Sequence, residues 1–259
     1  MNAAQKFEEL TSRLKQFFVD AHSTQAIVAL SGGIDSALVV ALAVEALGAD
    51  NVRVILLPSP FSSSHSVDDS LAMAKALGLH YDLVPIGGVY QEALKELKRI
   101  LPDSDLGLAC ENIQSRIRCA LTMGVSNATG ALMLNTSNRS EILVGYGTLY
   151  GDTSGAVGVI ASLYKGEVYE LSRYINSVRG EVIPQNIIDK APSAELREGQ
   201  LDSDSLPDYA VLDPVLRAMV DRGESQTELE KRYPKAIVER VAALYGASAF
   251  KRMQLPPAL

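Results

Sequence analysis

The sequence is poor in the residues that form disulfide bonds or bind zinc. Its 259 residues include two cysteines, Cys110 and Cys119, and three scattered histidines. If both cysteines lie on one helix, their spacing places the thiols about 13 Å apart along its axis, too far for a disulfide. We therefore expect two free thiols, no zinc site and a reducing, cytoplasmic location.

Long apolar runs and an excess of positive charge are also missing. No apolar run reaches the ~18 residues of a membrane span, and the N-terminal segment 1–9 lacks the apolar core of a signal peptide. The formal net charge is −7, whereas nucleic-acid-binding surfaces are usually basic. We therefore expect neither a membrane nor a nucleic acid as partner, although a local pocket can still bind a phosphorylated ligand.

The most informative stretch is Ser31-Gly32-Gly33-Ile34-Asp35-Ser36, which lies between an apolar run at 26–30 and a helix-like run at 37–47. Its two glycines allow the backbone to approach an anion, and the N-terminus of the following helix favours negative charge. Asp35 would repel a phosphate unless a cation such as magnesium lay between them. A strand-to-helix turn without a ligand is the alternative. The common P-loop is excluded because this loop has no lysine.

Strand-like and helix-like patterns alternate along the chain. Strands are predicted at 26–30, 52–57, 81–84 and 131–134, and helices at 3–21, 37–47, 66–77, 89–100, 109–128, 165–177, 211–220, 226–232 and 235–245. This order predicts an α/β fold with a doubly wound parallel sheet flanked by helices, and a helical C-terminal extension. No domain boundary is evident, so we expect one domain spanning 1–259. Ligands of such sheets bind at the carboxyl ends of the strands.

Several polar stretches lie where a site is expected. The segment 135–141 follows the fourth strand and is polar at almost every position, although a helix cap at Ser137 with Glu141 would explain part of this. The glycine-rich segment 145–155 predicts a mobile loop. Segment 197–208 predicts a surface loop, and we expect its Asp202 and Asp204 to lie in a solvated turn.

Six ordered blocks of the sequence resemble the NAD synthetase family, whose fold is that of the ATP pyrophosphatases. The blocks are 29–36, 111–118, 135–141, 145–152, 190–196 and 250–252. The resemblance implies a Rossmann-like fold and a ligase that amidates nicotinic acid adenine dinucleotide. It implies ATP and Mg²⁺ as cofactors, ammonia as the second substrate, and a homodimer that binds the dinucleotide across its subunits.

The resemblance also implies roles for individual residues. ATP would be bound by Ala29, Leu30, Ser31, Gly32, Gly33, Ile34, Asp35, Ser36, Thr136, Lys165 and Ser193. The acidic dinucleotide would be bound by Asn112, Arg116, Glu141 and Lys251. Asp35 and Glu141 would be magnesium ligands, and Asp35, Lys165 and Asp152 would serve catalysis, with Asp152 near the entry of ammonia. A surface arginine that reaches to solvent is an equal alternative for Arg116.

Two positions depart from the family pattern. Leu149 and Phe250 replace the lysine and histidine that ammonia-dependent members tend to carry. Segments 138–141 and 148–152 look more like the synthetase half of the glutamine-dependent enzymes. We expect no glutaminase domain and favour a free-standing ammonia user. A separate glutaminase partner or a piece of a longer protein are the alternatives.

Two other functions compete with this prediction. One is a different ligase of the ATP pyrophosphatase type, such as a tRNA thiolase or another amidotransferase. The other is an ATP-binding module without catalysis, which would tolerate the loss of Asp35 and Glu141.

Overall fold

The computed structural model describes all residues from 1 to 259, which form five strands and twelve helices. The strands are β1 (Ala26–Ala29), β2 (Val52–Leu56), β3 (His80–Leu83), β4 (Leu132–Asn135) and β5 (Val157–Gly158). The helices are α1 (Ala3–Asp20), α2 (Ile34–Leu47), α3 (Ser64–Ala76), α4 (Gly87–Ile100), α5 (Leu108–Thr129), α6 (Arg139–Val144), α7 (Lys165–Arg179), α8 (Gln185–Asp189), α9 (Tyr209–Leu216), α10 (Gln226–Leu229), α11 (Lys235–Ala247) and α12 (Ala249–Arg252). None of these helices is both long enough and apolar enough to cross a membrane.

The five strands form one parallel sheet in the order β3-β2-β1-β4-β5. The chain runs outward from β1 to β3 and then crosses back to β4, so the strand order reverses between β1 and β4. In doubly wound sheets, the crevice at such a reversal is the usual ligand site. The predicted fold class is confirmed, and the loops after β1 and β4 are thereby brought side by side.

Helices cover both faces of the sheet because its strands are apolar on both sides. The larger core joins α1, α2 and α7 to one face, with Leu38 and Leu42 of α2 fully buried. The smaller core joins α4 and α5 to the other face through residues such as Ile55 and Ile117. The predicted helical C-terminal extension has its own apolar core, formed mainly by α6, α9 and α11.

Several element boundaries differ from the prediction. The strand β5 was missed because two residues carry no detectable pattern, and α8 and α12 are similarly short. Helix α3 begins at Ser64 rather than at the predicted residue 66, and its cap is Ser63, whose hydroxyl accepts from the Ser66 amide. The cap of α6 is likewise Asn138 rather than Ser137. Cys110 and Cys119 both lie on α5 as free thiols, as the spacing argument assumed.

Candidate functional site

The predicted phosphate loop connects β1 to α2 at the switch point of the sheet. Gly32 has a φ of +78°, and a Cβ at this position would lie 2.7 Å from the Cα of Ser66, so only glycine fits. Gly33 is the N-cap of α2 and provides no side-chain cap, which leaves amide groups of the first helical turn available to a ligand. The Ser36 hydroxyl closes the loop by donating to the Gly33 carbonyl.

A cavity of about 410 Å³ lies at the carboxyl ends of β1 and β4. Every predicted site residue except Arg116 lines it: Ala29, Leu30, Ser31, Gly32, Gly33, Ile34, Asp35, Ser36, Asn112, Thr136, Glu141, Asp152, Lys165, Ser193 and Lys251. Arg116 is exposed, and its Nε donates to the Leu149 carbonyl at 3.2 Å. Its role across a subunit interface stays a prediction.

A larger cavity of about 800 Å³ lies beside the first and is lined mainly by α7, α9 and the segment before α9. The two cavities share five wall residues, Lys165, Tyr169, Ala191, Pro192 and Asp202. No residue of the phosphate loop lines the larger cavity. The smaller cavity is therefore the candidate active site, despite its lower volume.

Two carboxylates converge on one buried ammonium group inside the smaller cavity. Lys165 Nζ lies 2.5 Å from Asp35 Oδ2 and 3.5 Å from Glu141 Oε1, and the lysine side chain is only 3% exposed. Asn138 Nδ2 holds the other Asp35 oxygen at 2.9 Å. Burial would lower the pKa of Lys165, but the two carboxylates outweigh it and raise that pKa above its ordinary value.

Burial and the neighbouring Asp35 charge raise the pKa of Glu141 to about 8, although Lys165 acts in the opposite direction. With Lys165 as the nearby cation, Glu141 therefore mostly keeps its proton at neutral pH, and a further cation would be needed to ionise it. No group of three or more histidine, cysteine, aspartate or glutamate side chains is placed to hold a metal ion by itself, here or elsewhere in the chain, so phosphate oxygens would have to complete a metal site. One or two carboxylates completed by phosphate oxygens are the ligands that Mg²⁺ prefers, so Asp35 and Glu141 fit this ion.

Asp152 lies on the opposite wall and joins the glycine-rich segment to α5. Its Oδ1 accepts from the Ser115 hydroxyl at 2.5 Å and from the Thr148 amide at 3.0 Å. The Thr148 hydroxyl donates in turn to Asn112 Oδ1 at 2.8 Å. These contacts fix the orientation of the two predicted side chains, Asp152 and Asn112, at the mouth of the cavity.

Lys251 reaches the same glycine-rich segment from α12. Its Nζ donates to the carbonyls of Gly145 at 2.8 Å and Gly147 at 2.7 Å. Burial lowers the pKa of Lys251, although the charge of Asp152 acts in the opposite direction. The lysine predicted to bind the dinucleotide thus also holds a wall of the cavity in place.

Asp202 does not lie in a solvated turn, contrary to the prediction. It is buried, and its carboxylate accepts from the hydroxyls of Tyr146 at 3.1 Å and Tyr209 at 3.0 Å. The ring of Tyr209 also lies 5.3 Å from Lys165 Nζ. Asp204, in contrast, is exposed and pairs with Arg197 as a surface residue does. The polar character of the segment did not indicate that Asp202 is buried, because the tyrosines that bond to its carboxylate lie outside the segment.

Sequence reasoning also missed the role of Glu195. Its carboxylate accepts from the hydroxyls of Ser63 and Ser66, both at 2.9 Å, and from the Ser63 amide at 3.1 Å. Lys190 Nζ lies 2.5 Å from the same carboxylate. The family resemblance includes the block 190–196 but assigns no function to its charged residues, Lys190 and Glu195.

Comparisons with known proteins agree on one family. The family model described as NAD synthase matches residues 6–256. A glutamine-dependent NAD(+) synthetase of Synechocystis sp. is 46% identical over 237 residues, which are 91% of this chain and 42% of that protein. The chain therefore spans less than half the length of this relative.

Solved structures of similar length also match. An NH3-dependent NAD synthetase from Campylobacter jejuni superposes with a TM-score of 0.80 at 28% identity, covering 100% of both chains. An NMN synthetase from Francisella tularensis superposes with a TM-score of 0.83 at 26% identity, covering 97% of this chain and 96% of that chain. The same fold thus occurs in proteins named for the synthesis of different products, NAD and NMN.

Proposed function

The chain belongs to the NAD synthase family, and from this premise we propose that it amidates nicotinic acid adenine dinucleotide to NAD at the expense of ATP. The observation that carries the proposal is the cluster of Asp35, Lys165 and Glu141 beside the phosphate loop, in a cavity with the other predicted site residues. The products would be NAD, AMP and pyrophosphate.

In the proposed reaction, a carboxylate oxygen of the dinucleotide attacks the α-phosphorus of ATP, and pyrophosphate leaves. The amides after Gly33 and the ammonium of Lys165 would stabilise the negative charge on the leaving group. Mg²⁺ bound by Asp35, Glu141 and phosphate oxygens would neutralise more of this charge. The resulting acyl adenylate is a mixed anhydride, which reacts with nucleophiles much more readily than the original carboxylate does.

Ammonia would then attack the carbonyl carbon of the acyl adenylate, and AMP would leave. Asp152 would bind the incoming ammonium ion and accept the proton that it must lose. Asn112 and Lys251 would bind the dinucleotide, because both line the same cavity as Asp152. Thr136 and Ser193 would contact ATP. Arg116 would act from the second subunit of a homodimer.

We favour free ammonia as the nitrogen donor. The end-to-end match to a protein named as NH3-dependent supports this, whereas Leu149 and the glutamine-dependent relative of greater length support glutamine through a glutaminase. The single domain 1–259 and the cytoplasmic location belong to the same proposal. A separate glutaminase partner is the alternative to free ammonia.

The test supplies purified protein with ATP, Mg²⁺ and nicotinic acid adenine dinucleotide, and compares ammonium with glutamine as nitrogen donor. Formation of NAD and AMP in equal amounts supports the proposal. Binding of ATP without AMP release would instead identify a non-catalytic module.

A parallel arm replaces the dinucleotide by nicotinic acid mononucleotide, because the match to an NMN synthetase favours this second candidate substrate. A higher kcat/KM for the mononucleotide would overturn the substrate assignment while keeping the reaction type. A Lys165→Met variant serves as the negative control, since it removes the buried ammonium without removing much side-chain volume.

A further inference from the structure

The segment 190–201 joins α8 to the short helical turn at 202–204 and borders the candidate active site. The first residue of this segment, Lys190, lines the same cavity as the phosphate loop. Lys190 Nζ hydrogen-bonds the Ser66 hydroxyl and pairs with Glu195 at 2.5 Å. The lysine side chain is 28% exposed, so it keeps access to a ligand.

Ser66 places this lysine next to the phosphate loop. The backbone of Ser66 occupies the space that a side chain on Gly32 would need, with its Cα 2.7 Å from the position of such a Cβ. The ammonium of Lys190 hydrogen-bonds the side chain of Ser66, whose backbone packs against Gly32 of the loop. An anion seated on the loop would therefore lie within the field of Lys190.

Three other cationic side chains line the same cavity, and of these only Lys165 is assigned above to the phosphates of ATP. Lys165 is enclosed between Asp35 and Glu141. Arg118 donates to the Leu57 carbonyl at 2.8 Å, and Lys251 holds two carbonyls of the glycine-rich segment. Lys190 has only one carboxylate partner, and the phosphate loop itself contains no lysine. A polyphosphate of high negative charge needs more than one cation near the loop.

Glu195 is built to hold Lys190 at this place. Its carboxylate receives three hydrogen bonds from Ser63 and Ser66 at the start of α3, in addition to the ammonium of Lys190. Glu195 also has a φ of +47°, which side-chain-bearing residues rarely adopt. The contacts of its carboxylate maintain this uncommon backbone conformation.

We propose that Lys190 is a second phosphate-binding cation of the active site, which binds the β- and γ-phosphates of ATP and the pyrophosphate product. Glu195 is the positioning residue that holds Lys190 against the phosphate loop until the anion arrives. This inference rests on the proposed function for its ligand, a nucleoside triphosphate, but its test requires no turnover.

The test measures binding of ATP, pyrophosphate and AMP, each with Mg²⁺, by isothermal titration calorimetry. Lys190→Met should weaken ATP and pyrophosphate binding about 10- to 100-fold, the range for losing one hydrogen bond to a charged group. AMP binding should change less than about threefold, because AMP lacks the β- and γ-phosphates. Lys190→Arg, which keeps the charge, should recover most of the pyrophosphate affinity.

Arg197→Met is the matched control because Arg197 lies in the same segment and pairs with Glu111 and Asp204 outside the phosphate loop. It should leave pyrophosphate binding within about threefold of the parent, since it removes no cation from the loop. Equal losses in Lys190→Met and Arg197→Met would overturn the proposal, because they would show that only the order of the segment matters. A loss of AMP affinity as large as that of ATP would also overturn it.

Glu195→Gln tests the positioning role separately. It should raise the KM for ATP while leaving the KM for the acidic dinucleotide unchanged, since only the placement of Lys190 is altered. Glu195→Asp, which keeps the charge, should raise the KM for ATP less than Glu195→Gln does. Equal rises in both KM values would refute the positioning role. If the protein forms no NAD but Lys190→Met still loses pyrophosphate affinity, the proposed function fails and the phosphate assignment stands.

Discussion

Replacing Lys165 by methionine removes the positive charge that forms ion pairs with both Asp35 and Glu141. Methionine keeps most of the side-chain volume, so the change tests charge rather than packing. Breaking a buried ion pair usually costs about 3–5 kcal/mol, because the remaining charge stays buried without a partner. Glu141, with a pKa of about 8, is already mostly protonated at pH 7, so mainly Asp35 loses an ionised partner. We therefore expect a loss near the lower limit, about 3 kcal/mol at pH 7.

The assay is urea unfolding followed by circular dichroism, with EDTA present to remove metal ions. A loss of about 3 kcal/mol corresponds to a fall in Tm of roughly 6–12 °C for a chain of this size. Added Mg²⁺ should restore more stability to Lys165→Met than to the parent protein, because the ion supplies the missing positive charge between Asp35 and Glu141.

The pH dependence follows from the raised pKa of Glu141. The folded protein binds a proton at Glu141 more tightly than the unfolded chain, whose value is near 4.5. This contribution is therefore complete below pH 4.5 and is lost as the pH rises through about 8. Without Lys165 the pKa of Glu141 should rise further, so the loss of stability should continue to higher pH.

Lys6→Met is the control for this prediction. Lys6 pairs with Glu167 at 2.7 Å, but that carboxylate keeps Arg217 at 3.1 Å as a second partner. We expect the Lys6→Met variant to lose less than about 1 kcal/mol in free energy of unfolding, since the Glu167 carboxylate is not left unpaired. The reasoning is refuted if Lys165→Met is as stable as Lys6→Met in EDTA, or if Mg²⁺ stabilises both variants equally.

Three further predictions concern the phosphate loop and its surroundings. Gly32→Ala should cost at least about 1–2 kcal/mol of stability for its positive φ, and should weaken ATP binding because its Cβ would displace Ser66. Lys251→Ala should raise the KM for the acidic dinucleotide more than the KM for ATP. Burial raises the pKa of Glu195, but hydrogen bonds from Lys190 and the neighbouring serines outweigh it and hold that pKa below 4.5. Glu195→Gln should therefore show a shallower loss of stability as the pH falls below 4.5, where the parent loses this contribution.

Each of these has a contrary outcome. Gly48 also has a positive φ, of +82°, but a Cβ there would meet nothing within 4 Å. If Gly32→Ala binds ATP as tightly as Gly48→Ala, the close approach to Ser66 does not shape the loop. Equal rises of both KM values in Lys251→Ala would mean that this lysine only holds the glycine-rich segment. An unchanged acid transition in Glu195→Gln would contradict the lowered pKa.

The sheet and its switch point could be predicted from the sequence because their signals are local. The loop 31–36 is contiguous, and the apolar runs on either side of it predict the neighbouring strand and helix. The membership of Asn112, Lys165 and Lys251 in one cavity was not predictable from local chemistry. It came from the family resemblance, and the fold brings these residues together from three different helices.

The features that could not be predicted depend on contacts between distant parts of the chain. Asp202 lies in a polar segment, and it is buried against Tyr209, seven residues away, and Tyr146, 56 residues away. Glu195 binds Ser66 from 129 residues away, so neither residue shows its role in its own neighbourhood. The strand β5 was not predicted for a different reason. Its two residues are defined as a strand by pairing with β4, and they carry no sequence pattern of their own.

The buried lysine between two acids has a consequence for how the nucleotide arrives. A nucleotide without magnesium would draw the Lys165 ammonium toward its phosphates and leave the Asp35 carboxylate without its cation. A magnesium–nucleotide complex carries its own substitute cation, so the exchange is balanced in charge. We expect the protein to discriminate between these two species of one molecule, and its turnover to follow the concentration of the complex rather than that of total nucleotide.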